Sequence, residues 1–126
     1  MRIRRSRAKG WRMPEGAIYV GRGSVWGNPF IVGAPSGVFT DDPPLTMIES
    51  LSLEQAVAFY RDMVTGCLSP EMHPHGHDWM RRFKARMHNG HPHEMLRSYL
   101  RGHDLCCWCQ LDRLCHGDIL LELADA

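Results

Sequence analysis

Between Ser52 and Gly66 the apolar residues Leu53, Ala56, Val57, Tyr60, Met63 and Val64 recur at helical intervals. Ser52 and Gln55 have the spacing of a capping box, and Gly66 supplies a stop, so the pattern predicts a helix over this stretch. Trp79, Met80, Phe83 and Met87 predict a second helix. A third is predicted from Pro92 or His93 to Arg101, with Met95, Leu96, Tyr99 and Leu100 on its buried side and Gly102 ending it.

Elsewhere the period shortens. RIRRSR alternates Ile3 with charge and reads as a short edge strand, where charged side chains discourage stray pairing. AIYVG, Ala17 to Gly21, is β-branched and aromatic between Gly16 and Gly21 and predicts a strand. DLCCWC, Asp104 to Cys109, is a continuous apolar run too short for a helix, which predicts a strand covered on both faces. CHGDILLELAD then predicts a closing helix, with Asp118 in its first turn, where the helix dipole favours an acid. Residues 33–45, dense in Gly, Pro and Asp, and residues 69–78, which contain HPHGH, read as loops with no site in the histidine tract. No internal repeat is visible. The order strand, helices, strand, helix predicts one small α/β domain over residues 1–126, a few-stranded sheet packed by about four helices.

Bulk properties narrow the class. A chain of 126 residues suits one domain and buries about two-thirds of the surface its unfolded form exposes. No apolar run approaches the roughly 18 residues of a membrane helix, and the basic start lacks the apolar core of a secretory signal, so a cytoplasmic protein with no membrane partner is expected. Five cysteines, four of them between Cys106 and Cys115, do not make a secreted disulfide framework. The net charge of +1 conceals a gradient: Arg2, Arg4, Arg5, Arg7, Lys9, Arg12 and Arg22 face only Glu15 before Asp41. Such an arm can meet phosphates of a nucleotide or a nucleic acid, although a solvated strand with arginine edges is the simpler reading.

The cysteines carry the densest chemistry. Alternation along a strand puts Cys107 and Cys109 on one face and Cys106 and Trp108 on the other, the latter pair as core candidates. Five residues, QLDRL, let the chain turn back and bring Cys115 and His116 to the first pair. Cys107, Cys109, Cys115 and His116 are then a candidate tetrahedral zinc set, with His103, another histidine or water replacing one position if the adjacent pair cannot both reach the ion. Alternatively, Cys115 at a helix N-terminus beside His116 is a candidate thiolate nucleophile, with Asp118 as an acid–base group. Packing alone is the third reading, because cysteine is among the most buried residue types. The H-x-E and P-C-x-x-C pair of the zinc deaminases does not occur.

Directly after AIYV comes GRGSVWGNPF. Glycines let a backbone approach a ligand closely, and Arg22 and Ser24 add donors suited to phosphate or carboxylate. No P-loop or dinucleotide fingerprint is present. Gly21, Arg22, Gly23, Ser24, Trp26 and Asn28 are the candidate ligand-binding residues; the alternative is a turn that pins Trp26 and Phe30 into the core.

AIYVGRGSVWGNPF, LEQAVAFYRDMV and LRGHDLCCWCQLDRLCHGDILLEL together resemble the family known as domain of unknown function 4326, small proteins frequent in bacteriophages that share GR-x-x-x-WGNPF and C-W-C…CHGD segments. Gly21, Arg22, Trp26, Gly27, Asn28, Pro29, Phe30, Cys107, Trp108, Cys109, Cys115, His116 and Asp118 stand where that pattern puts them. The resemblance implies a phage-type origin, hence a host cytoplasm, and no established activity. Function is therefore read from the site. Ligands in open α/β sheets bind beyond the carboxyl ends of strands, and both motifs follow strands. The expectation is one cleft that binds an anionic, nucleotide-like ligand, with transfer or hydrolysis on a nucleotide or nucleoside as the reaction class. The alternative is a zinc-stabilised module that grips nucleic acid with its basic arm or engages a host protein.

Overall fold

A computed structural model of the chain describes residues 1–38, 46–66 and 74–126. The elements are strands β1 (Arg2–Arg4), β2 (Ile18–Tyr19), β3 (Ser36–Val38) and β4 (Thr46–Ile48), helices α1 (Leu53–Thr65), α2 (Pro74–Arg86) and α3 (Pro92–Leu100), strand β5 (Leu105–Cys107) and helix α4 (His116–Asp125). This is the small α/β domain that the hydrophobic pattern predicts.

Its main sheet has the order β1-β5-β2. Both pairings are parallel, with Cys106 of β5 opposite Ile3 on one side and Tyr19 on the other. Central placement buries all three residues of β5, whereas β1 takes the edge, where Arg4 is exposed while Arg2 is buried. A parallel arrangement also sends the chain out of all three strands at the same edge. The GRGS loop after β2 and the cysteine loop after β5 consequently emerge side by side, and α4 begins at that edge too.

Helix α1 starts and stops where its sequence dictates. Ser52 accepts from the Gln55 amide while the Gln55 side chain accepts from the Ser52 amide, and Gly66 ends the helix with a φ of 82° that glycine adopts without strain. Ala56, Val57, Tyr60, Met63 and Val64 are buried, each large apolar side chain contributing about 1.5–3 kcal/mol relative to exposure. They meet Leu96 and Leu100 of α3 and Leu120, Leu123 and Ala124 of α4 in one core that also holds Val20, Trp26, Phe30, Trp79 and Phe83. No helix among the described residues is long and apolar enough to cross a membrane.

Four expectations need correction. Residues 74–78 are the first turn of α2 rather than loop: a proline at the first helical position has its φ preset and lacks only an N–H that would go unused. Residues 36–38, within the expected 33–45 loop, form β3 and pair antiparallel with β4; residues 39–45 of that loop, like residues 69–73 with His73, lie outside the described residues. Tyr99 is exposed on α3, whose buried face is Pro92, Leu96 and Leu100. Trp108 is 40% exposed rather than core. The strand ends one residue before it, which releases its ring to lie against the guanidinium groups of Arg5, at 5.2 Å, and Arg7, at 5.0 Å.

Candidate functional site

At the carboxyl edge of the sheet the turn WGNPF is pinned from three directions. The Tyr60 hydroxyl donates to the Trp26 carbonyl at 2.5 Å, the Trp79 indole N–H donates to the Gly27 carbonyl at 2.8 Å, and the Asn28 amide donates to the Ala56 carbonyl at 3.1 Å. Asn28 Oδ1 also accepts from the Phe30 amide at 2.9 Å, and the Ser24 hydroxyl donates to the Gly21 carbonyl at 2.6 Å. Trp26 is buried, edge-on to Phe83 at 5.1 Å, and lines neither of the clefts described below. The candidate ligand residue Trp26 is thus a core anchor, and Asn28 and Ser24 spend part of their hydrogen-bonding capacity on the loop itself.

Gly27 is required sterically. A Cβ there would lie 2.8 Å from the Gly21 carbonyl oxygen and 3.1 Å from the Arg22 Cα, both backbone atoms. Gly27→Ala is therefore expected to displace the GRGS loop and cost about 2 kcal/mol; a melting temperature equal to that of wild type would show that the close approach does not matter.

On the other side of the edge, the sulfurs of Cys107, Cys109 and Cys115 lie within 4.8 Å of one another. Cys107 and Cys109 come together, as predicted, although Cys109 lies in the bend after β5 rather than in the strand, and the turn through QLDRL brings in Cys115 as the N-cap of α4. Cys115 Sγ accepts from the Gly117 amide at 3.4 Å and stands 3.5 Å from Cys107 Sγ and 3.6 Å from His116 Nδ1. His116 Nε2 donates to the Val20 carbonyl at 2.6 Å. This bond fixes the tautomer, because a carbonyl can only accept, and it turns the lone pair of Nδ1 toward Cys115. Burial lowers the His116 pKa below its usual value, so the ring is neutral at pH 7. His116 is not in the three-sulfur group; it touches that group through Cys115.

One residue organises this corner that the sequence pattern did not single out. Arg2, read there as part of a solvated arm, has a side chain only 6% exposed. Its Nε donates to Asp118 Oδ1 at 3.0 Å, and its remaining N–H groups donate to the carbonyls of Gln110, Leu111 and Arg113 at 3.1, 3.1 and 2.8 Å and to Cys107 Sγ at 3.8 Å. It binds the whole inter-cysteine loop to β1. The signal for it lies in the pairing of β1 beside β5, which no local pattern reveals. Asp118 is held on both oxygens, by Arg2 and by the Cys115 amide at 3.2 Å, and lines neither cleft. It positions the start of α4, where an acid–base group would need to reach a substrate.

The cluster shares a negative charge. Thiols donating from Cys109 and Cys115, then Arg2, hold the Cys107 pKa down to about 2 against the cost of burial. Bonded to that thiolate, Cys109 and Cys115 are pushed above the usual thiol range. A buried thiolate beside two further thiols is the donor set a soft or borderline cation takes. Three sulfurs around one zinc at about 2.3 Å would stand about 3.8 Å apart, against 3.5 Å between Cys107 and Cys115 Sγ and no more than 4.8 Å for any pair. The three cysteines can hold a metal ion.

Two clefts meet at the edge. One, of about 180 Å³, is lined by Gly21, Arg22 and Asn28 from the first motif and by Cys107, Cys109, Cys115 and His116 from the second, with an apolar floor from α1. The other, of about 270 Å³, is lined by Arg22, Gly23 and Ser24 on one side and by Asp78, Arg82 and Arg86 of α2 on the other. Arg22 and Asn28 border both. The GRGS loop and the cysteine segment thus open on one cleft, as the sheet rule anticipates.

No curated protein and no solved structure matches the chain. The family model described as a domain of unknown function (DUF4326) matches residues 3–126. With both motif loops and the core that supports them inside that match, the chain belongs to the DUF4326 family.

Proposed function

We propose that the protein binds an anionic, nucleotide-like ligand at the edge where its two motif loops meet, with a zinc ion on Cys107, Cys109 and Cys115 forming one wall of the site. The supporting observation is the shared cleft: a cationic, glycine-rich loop and a three-cysteine cluster line the same concavity, whose apolar floor suits a base or sugar. Three protein ligands leave a zinc ion one further position, as in catalytic rather than closed structural sites. Arg22 is the anion-binding group in this reading. It is exposed, and its guanidinium makes no hydrogen bond or ion pair among the described residues, its carbonyl alone accepting from the Tyr19 hydroxyl, so its charge is available. Transfer or hydrolysis on a nucleotide or nucleoside is the reaction class to assay, with neutral His116 as the base candidate; Cys115 is a nucleophile candidate only in the alternative reading without a metal, where its thiol is not a zinc ligand.

Arg22→Ala should leave the melting temperature within about 2 °C of wild type, because little is packed on the side chain, and weaken nucleotide binding about tenfold or more, as loss of a charge-assisted contact does. Calorimetric titration with a panel of nucleosides and nucleotides, with mass spectrometry for co-purified small molecules, reads both. A large drop in stability would instead make Arg22 a structural residue, and no binding by any member of the panel would reject the nucleotide reading.

A second reading has its own observation. The Trp108 ring is in contact with the guanidinium groups of Arg5 and Arg7, Arg5 also covers Tyr19 at 4.8 Å, and a neighbouring cleft is lined by Arg5, Ser6, Trp11, Met13 and Tyr19. Rings interleaved with guanidinium groups suit single-stranded nucleic acid. Salt separates the readings: an oligonucleotide held by several arm arginines loses affinity steeply as salt rises, while a mononucleotide in a cleft does so less steeply.

A further inference from the structure

The cleft between the GRGS loop and α2 holds chemistry that the cysteine cleft does not. Three guanidinium groups from two elements line it, Arg22 on the loop and Arg82 and Arg86 one helical turn apart on α2, against one carboxylate, Asp78. That carboxylate is already engaged, by Arg81 at 2.7 Å and by Arg82 Nε at 3.2 Å, which pre-orients Arg82. The Arg86 guanidinium, like that of Arg22, has no hydrogen-bond or ion-pair partner among the described residues.

The two walls are held at a fixed separation. Trp79 and Phe83, on the inner face of the same helix, are buried, stacked on each other at 5.0 Å and tied to the loop through the Gly27 carbonyl and the Trp26 ring. Pre-positioned guanidinium groups recognise phosphate oxygens by paired hydrogen bonds, and fixed walls avoid the ordering cost of assembling them. Asp78 balances one of the three cations, leaving a net charge of +2 spread over two walls, a distribution that linked phosphates meet better than a single one.

We propose that the cleft lined by Arg22, Arg82 and Arg86 is the subsite for a di- or triphosphate, the phosphate end of a ligand whose remainder occupies the cysteine cleft. This rests on the nucleotide reading above and extends it from an anionic ligand to one with linked phosphates. Arg22, bordering both clefts, is the joint between the two subsites.

Calorimetric titration of the full chain at low ionic strength, with inorganic pyrophosphate, inorganic phosphate, a nucleoside and a nucleoside monophosphate as probes, tests it. Pyrophosphate should bind at least tenfold tighter than phosphate. Arg82→Ala and Arg86→Ala should each weaken pyrophosphate about tenfold, leave the nucleoside unaffected and leave the melting temperature unchanged, since both side chains are exposed. An Arg4→Ala/Arg12→Ala variant, altered outside both clefts, should bind pyrophosphate as wild type does. Pyrophosphate binding no tighter than phosphate, or lost equally in the arm variant, overturns the subsite; if the nucleoside monophosphate still binds, the nucleotide reading survives that result. If no probe binds, both fall.

Discussion

Cys109→Ser should lower bound zinc from one per chain to a small fraction and reduce the melting temperature by about 10 °C or more. Serine keeps the size of the side chain but is a far poorer zinc ligand than a thiolate, so two sulfurs would remain to hold the ion. Metal bound only by the native state stabilises that state by its binding free energy. Loss of a ligand is therefore expected to cost about 3 kcal/mol or more, among the larger effects of a single substitution, and a domain of this size converts each kcal/mol into a few degrees. Elemental analysis and thermal denaturation must move together. A chelator added to wild type should reproduce the thermal shift and leave the variant nearly unchanged. A variant that melts lower with its metal content intact would return Cys109 to packing.

The second large effect is at Arg2. Arg2→Ala should destabilise the protein by about 3 kcal/mol, chiefly because it strands the buried Cys107 thiolate, while the carbonyls of the exposed 110–113 loop lose their shared donor. Asp118 adds less, because its carboxylate is 42% exposed and water can replace the arginine. Arg2→Lys should recover only part of the loss: an ammonium restores the charge but cannot reach Asp118 and three carbonyls with one planar fork. Denaturant titration measures each value. A loss below about 0.5 kcal/mol for Arg2→Ala would identify Arg2 as an ordinary arm residue.

The contrast between these residues shows what local pattern carries. Cys107 and Cys109 could be placed together from their spacing, although β5 ends at Cys107 and Cys109 lies in the bend beyond it, and Cys115 could be placed at a helix start because capping is a property of neighbouring residues. The α1 boundaries follow from Ser52, Gln55 and Gly66 for the same reason. Arg2 was invisible by the same logic: its partners are over a hundred positions away, and only the parallel pairing of β1 with β5 brings them to it. Arg82 and Arg86 look like the solvated face of a helix until Trp79 and Phe83 dock that helix against the GRGS loop. Trp108 was misassigned because alternation was carried one residue past the end of β5, and Trp26 because an aromatic beside a glycine loop suits a ligand as well as a core. The start of α2 was missed because proline, glycine and histidine dominate its first turn, and composition outweighed the proline's fitness for an N-terminus. Family membership covers the chain and places both motifs in one domain, but the roles of their residues come from the cleft.

Native mass spectrometry of the freshly purified full chain tests the metal-walled cleft most directly. One zinc per chain, lost together with thermal stability on chelation, is the predicted result. A metal-free chain of full stability would contradict it.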